Sequence, residues 1–162
     1  MLFLLLLLAV LAGAVLAVLL LVRGLRAVVR SGDRSGPSWA RAAALLTGAA
    51  ALALYVWGMA HVEIAVLDAE DGGTDSAPIG PCREDGPESA ERVDGYDVGW
   101  IPLRFDCHLT GGGTYTTSTV PGYVNPATAL LALTAAVSGI FAVGAAERAD
   151  RTPAPSNRKH DS

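Results

Sequence analysis

Uncharged runs and charged intervals alternate along the chain. Residues 1–22, 42–60 and 107–146 contain no Asp, Glu, Lys or Arg. A bilayer imposes that segregation, because its hydrocarbon core of about 30 Å takes roughly 20 apolar residues per helix and rejects charge. The first run, 1–22, spans about 33 Å as a helix at 1.5 Å per residue. No basic residue precedes Leu2, and the first positive side chain, Arg23, comes after the run. A cleaved signal peptide needs a basic start and a shorter apolar stretch, so the run is expected to be a retained anchor. A second span is expected over 39–61. Ser38 is placed to cap it, and Trp39 at one end with Tyr55 and Trp57 toward the other form an aromatic belt. A third is expected over 127–146, opened by Asn125 as a cap and Pro126 in the first turn, where a missing N–H is harmless.

The interval 62–126 has its own internal pattern. Ile64-Ala-Val-Leu67 continues the second helix and then gives way to an acidic, glycine-containing stretch up to residue 79, expected to be a fraying linker. Residues 84–95 have the same character. From 101 onward apolar Ile101, Leu103, Phe105, Cys107 and Leu109 alternate with Arg104, Asp106 and His108, the period of a strand with one buried face. Gly111 to Gly113 and the Thr- and Tyr-rich run Thr114–Val120 follow, so a β-hairpin is expected over about 98–120. Pro102 fits an edge or a bulge. A lone hairpin is marginal in water, and a Cys82–Cys107 disulfide is expected to tie the linker to the first strand. Pro121-Gly122 turns the chain back to the membrane, with Tyr123 at the interface.

The net charge of -4 averages two opposed regions. Residues 23–41 hold Arg23, Arg26, Arg30, Arg34 and Arg41 against Asp33, and the tail holds Arg148, Arg151, Arg158 and Lys159. The interval 62–126 has only Arg83, Arg92 and Arg104 against twelve acids. Basic short loops stay in the cytoplasm. The expected order is therefore an outside N-terminus, a cytoplasmic basic loop over 23–38, an extracytoplasmic acidic loop over 62–126, and a disordered cytoplasmic tail over 147–162. Both cysteines fall in the outside loop, where a disulfide persists. The fold class is a mainly α membrane protein with three transmembrane helices and a small disulfide-tied hairpin between the second and third. Lysine occurs once, and the abundant arginine, alanine and glycine suit a GC-rich bacterial genome. The expected location is the bacterial cell membrane.

Pro102-Leu-Arg-Phe-Asp-Cys107, the glycine turn, Tyr115 and Val120-Pro-Gly-Tyr-Val-Asn-Pro126 before an alanine-rich span resemble a group of small, uncharacterised actinobacterial membrane proteins. The resemblance covers about residues 80–146. It implies the same topology and the outside cysteine pair, and it implies no activity and no catalytic residues.

The candidate chemistry is sparse. Asp68, Glu70, Asp71 and Asp75 lie near glycines but lack the register of a calcium loop, so a solvated acidic stretch is expected. Cys82, Cys107, His108 and His61 lack zinc-ligand spacing. There is no nucleophile elbow, and His61 sits beside an interface. No enzyme, cofactor, metal or nucleic-acid partner is expected. Ala9, Gly13 and Ala17, then Ala40, Ala44 and Gly48, then Thr134, Ser138, Ala142 and Ala146 repeat at four-residue spacing, which favours close helix packing. That packing is expected within one chain, and a homo-oligomer stays open. Beyond the bilayer itself, the expected role is an anchor or accessory protein meeting another membrane or surface protein. Tyr96, Trp100, Phe105 and Tyr115 are its candidate contact face, with the hairpin's own packing as the competing role for the same rings. The alternative is a small transporter or channel component, whose mark would be a polar residue facing the bundle centre, with Thr47, Thr134 and Ser138 as the candidates.

Overall fold

The computed structural model describes residues 2–30, 37–70, 80–84 and 93–151. Three long helices carry the molecule: α1 (Leu2–Arg30), α2 (Pro37–Glu70) and α4 (Val124–Arg151). Between α2 and α4 come a single turn, α3 (Gly80–Glu84), and three strands, β1 (Val93–Trp100), β2 (Leu103–Leu109) and β3 (Thr114–Thr116). Segments Phe3–Arg30, Ser38–Glu70 and Val124–Arg148 are each long and apolar enough to cross a bilayer. The chain is a multi-pass membrane protein.

The helices lie in a row with α2 in the middle. α1 packs along one side of it and α4 along the other, and α1 and α4 share no comparable interface. Small residues set the spacing. Ala42, Ala49 and Ala51 are buried along α2. A Cβ on Gly13 would strike Val56 Cγ2 at 2.6 Å, and one on Gly24 would strike Leu46 Cδ2 at 2.8 Å. Gly48 faces Ala135, and Gly139 faces Ala44. The facing residues on α4 are thus Ala135 and Gly139. Thr134, one position round the helix, is exposed, and its hydroxyl donates to Leu130 O of its own helix at 2.8 Å. Thr47 likewise donates to Ala43 O at 2.7 Å.

These pairings make both neighbours antiparallel to α2. The C-terminal end of α1, the start of α2 and the end of α4 therefore meet at one end of the molecule, with Arg23, Arg26, Arg30, Arg41, Arg148 and Arg151. The strands sit at the other. The pairings also fix axial levels. Arg23 stands beside the level of Thr47, and Gly48 stands level with Ala135, deep in the uncharged part of α4. The uncharged run of α1 is thus displaced toward the sheet end by roughly 15 Å relative to that of α4, at 1.5 Å per residue.

The helices outrun the expected spans. α1 continues to Arg30, α4 to Arg151, and α2 to Glu70, where the acidic linker was expected to have begun fraying at the helix end. The basic-loop residues 31–36, the linker residues 71–79 and 85–92, and the tail from 152 lie outside the described residues.

The expected hairpin is one half of a three-stranded antiparallel sheet, in the order β1-β2-β3. The glycine turn joins β2 to β3, with Gly112 and Gly113 at positive φ (87° and 114°). β3 is only Thr114–Thr116, shorter than the 114–120 run suggested. The longer pairing is β1 with β2, from Val93 opposite Leu109 to Trp100 opposite Leu103, with an irregularity between Val93 and Gly95. One strand was expected across 98–109. Instead the chain reverses at Ile101–Pro102, whose peptide bond is cis.

Candidate interaction surface

The sheet stands against the protruding part of α2, and its two faces differ in chemistry. On β2 the predicted alternation holds: Leu103, Phe105 and Cys107 are buried, while Arg104 is exposed and Asp106 and His108 are half-buried on the opposite face. The buried side meets Met59, Val62, Ala65 and Val66 of α2 and Leu6 of α1 in one apolar cluster. Adjacent β1 residues Tyr96 and Val98 pack on it, as do Tyr115 and Val120. A hairpin that would be marginal alone is therefore held by a helix face, the usual remedy for a small sheet.

Three devices fix the sheet in place. The Cys82–Cys107 disulfide, with both residues fully buried and Cα atoms 6.0 Å apart, joins α3 to β2. Chain-entropy reasoning for a loop of about 26 residues gives at most about 3.5 kcal/mol of stabilisation. Tyr115 OH donates to Cys82 O, binding β3 to the same turn. Asn125 receives the Leu103 N–H on Oδ1 and donates from Nδ2 to Leu103 O, each at 2.9 Å. The residue expected as a helix cap thus braces β2 to the start of α4. Each such bond contributes about 1 kcal/mol.

The four aromatic residues of the expected contact face are not presented together. Phe105 is 0% exposed, and Tyr96 stacks on it with centroids 5.0 Å apart and planes at 12°. Tyr96 OH donates to Glu70 Oε1 at 3.3 Å, and Tyr115 is half-buried. Only Trp100 is exposed. The cause is the reversal at Ile101–Pro102: it folds β1 back on β2, so that Tyr96 and Phe105 share the face that α2 covers.

The outward face is polar. His108 Nε2 lies 2.9 Å from Asp97 Oδ2 across the β1–β2 pair, and Arg104 Nε donates to Asp106 Oδ2 at 2.7 Å. Thr116 Oγ1 donates to Asp106 Oδ1 at 2.5 Å. These contacts order the side chains of β1, β2 and β3 into one ion-paired surface. Being exposed, the pairs contribute little stability, of order 0–1 kcal/mol each. Their organisation suits recognition better than it suits folding.

Other candidates resolve differently. Asp68 and Glu70 lie in α2, Asp71 and Asp75 fall outside the described residues, and no group of three metal-ligating side chains occurs among the described residues. His61 is edge-on to Trp57, with centroids 4.7 Å apart, and its Nδ1 is 2.9 Å from Trp57 O. Cys82 and Cys107 are bonded to each other and so are not free thiolate ligands beside His61 and His108. Glu63 had not stood out among the acids of its interval. It is only 7% exposed, and its Oε1 has no hydrogen-bond partner among the described residues. Its place one turn beyond Met59 on a helix was the signal available. No family model, curated protein or solved structure matches the chain.

Proposed function

We propose that this is a non-enzymatic membrane anchor or accessory protein that presents the polar face of its sheet to another membrane or surface protein outside the cytoplasm of a bacterium. The single observation carrying this reading is the division of the sheet's faces. One face is consumed by packing on α2, and the other is an ordered polar surface of Asp97, Arg104, Asp106, His108 and Thr116. Rigid support beneath an exposed polar face lowers the entropy lost on contact with a partner. The arginine end belongs in the cytoplasm by the positive-inside rule. The buried disulfide suits an oxidising compartment at the sheet end. The resemblance to small actinobacterial membrane proteins agrees with this orientation. The transport alternative loses support from Thr47 and Thr134, whose hydroxyls are bonded within their own helices.

The structure offers a clean topology reporter. Gly111 is exposed, and a Cβ there meets nothing within 4 Å. Gly111→Cys should react with an impermeant maleimide on intact cells, and Arg151→Cys only after permeabilisation. The opposite result inverts the orientation and removes the surface reading. A photocrosslinker at residue 104 should then give a discrete adduct that Asp97→Ala and His108→Ala weaken together. Recovery of copies of this chain alone would replace the partner with self-assembly.

A further inference from the structure

The β1–β2 turn stands at the level where the uncharged run of α2 nears its end and α4 begins. Trp100 O accepts a hydrogen bond from Tyr55 OH at 2.8 Å. A Cβ on Gly58 would meet Leu103 Cδ2 at 2.8 Å and Val124 Cγ1 at 2.7 Å. Tyr55 and Gly58 belong to the uncharged run of α2, and Val124 opens α4. The sheet therefore does not float above the membrane. It rests its turn on the outer part of two membrane-crossing helices.

The composition of the turn is unusual for a water-facing reversal, which favours Gly, Asn, Asp and Ser. Here it is Trp100-Ile101-Pro102-Leu103. Leu103 is buried, while Ile101 is 93% exposed and Trp100 44% exposed. Trp57 and Tyr123, also more than half exposed, belong to the adjoining stretches of α2 and of the chain entering α4. Tryptophan and tyrosine concentrate where a bilayer meets water. Part of the turn's backbone is prepared as well. In hydrocarbon every polar backbone group needs a protein partner. Trp100 O is bonded to Tyr55, Leu103 N–H and O are both bonded to Asn125, and Pro102 has no N–H.

We propose that the β1–β2 turn is seated in the bilayer, with the Trp100 indole among the lipid headgroups and Ile101 in the upper acyl chains. The occupant of this apolar surface is lipid of the same membrane, because the surface continues the lipid-facing sides of α2 and α4 without a break in charge. The inference needs only the membrane-spanning character of the helices and is independent of any partner on the polar face.

The test uses purified full-length protein in vesicles of phosphatidylcholine with phosphatidylglycerol. The tryptophans are Trp39, Trp57 and Trp100, so Trp39→Phe with Trp57→Phe leaves Trp100 as the only one. Its emission should be blue-shifted, and lipids brominated near the headgroup end of the acyl chain should reduce it to roughly half, as expected for a ring in the interfacial belt. Ile101→Asp in that background should shift emission to the red and abolish most of the quenching while the disulfide stays intact. Water-like emission without lipid quenching overturns the proposal. Blue-shifted emission that brominated lipid leaves unquenched overturns it too, because a second copy or another part of the protein then covers the turn. If the double replacement fails to form the disulfide, the difference in quenching between wild type and Trp100→Phe reads the same quantity.

Discussion

Tyr96 has two candidate roles in the sequence, as a contact residue for a partner and as part of the hairpin's own packing. In the fold it stacks on Phe105 and reaches Glu70 at the tip of α2. Desolvation raises its pKa above the ordinary value of about 10, and the Glu70 charge and hydrogen bond raise it further. The folded phenol is thus harder to ionise than the unfolded one. The stabilisation linked to this group is fully present below the unfolded value and is lost as pH rises through the higher folded value. Titration of tyrosinate absorbance should show Tyr96 ionising late. Glu70→Gln should move it part of the way back, since desolvation, the larger cause, remains. A titration unchanged by Glu70→Gln would mean that the two groups are not in contact. The alternation from Leu103 to Leu109 was legible residue by residue, because period two leaves only one face for a core. The burial of Phe105 beneath Tyr96 was not, since it depends on which strand lies alongside.

At the scale of elements, the spans were legible and the sheet only in part. Apolar length and arginine placement are local properties, so α1, α2 and α4 could be found without tertiary information. β1 could not be separated from β2 in the same way. Val98, Trp100, Ile101 and Leu103 are all apolar or aromatic, and only the reversal at Pro102 divides them. The close approach of elements is where substitutions discriminate. Gly58→Ala places a methyl against Val124 and Leu103, which are fixed between α2, α4 and β2, and should destabilise by about 1–3 kcal/mol through overpacking. Gly99→Ala meets Arg104 Cγ at 2.5 Å, so that half-exposed side chain must change rotamer and give up its surface pair with Asp106, a loss of about 1 kcal/mol or less. Thermal unfolding in one detergent compares the two. Equal losses would mean that the sheet does not dock at Gly58.

The whole molecule has to reconcile helices whose uncharged runs are not level. With α1 displaced toward the sheet, Arg23 lies level with Thr47 and the middle of the uncharged run of α4, and must extend its guanidinium toward the arginine end to reach water. Such an offset is accommodated by tilt or local thinning of the bilayer, at a fraction of a kcal/mol per Å of mismatch. Unfolding temperature in vesicles should therefore rise as the lipid acyl chains are shortened from a thick bilayer, and Arg23→Leu should weaken that dependence. Insensitivity to thickness would show that the offset is absorbed within the protein. No span-by-span reading of the sequence contains this property, because it arises from which glycine of one helix meets which side chain of the next.

The continuity of α2 has a mechanical consequence. Its 34 residues form one helix from Pro37, beside the arginine end, to Glu70, beneath the sheet. At 1.5 Å per residue that is a lever about 51 Å long. The sheet is clamped to one arm of it by apolar packing, by Tyr55 OH on Trp100 O and by Tyr96 OH on Glu70. A tilt of about 5° imposed on the sheet would displace the far end by roughly 4 Å over that length. That lies between the slides of about 1–2 Å and the one-turn ratchets of about 5.4 Å by which packed helices shift at interfaces.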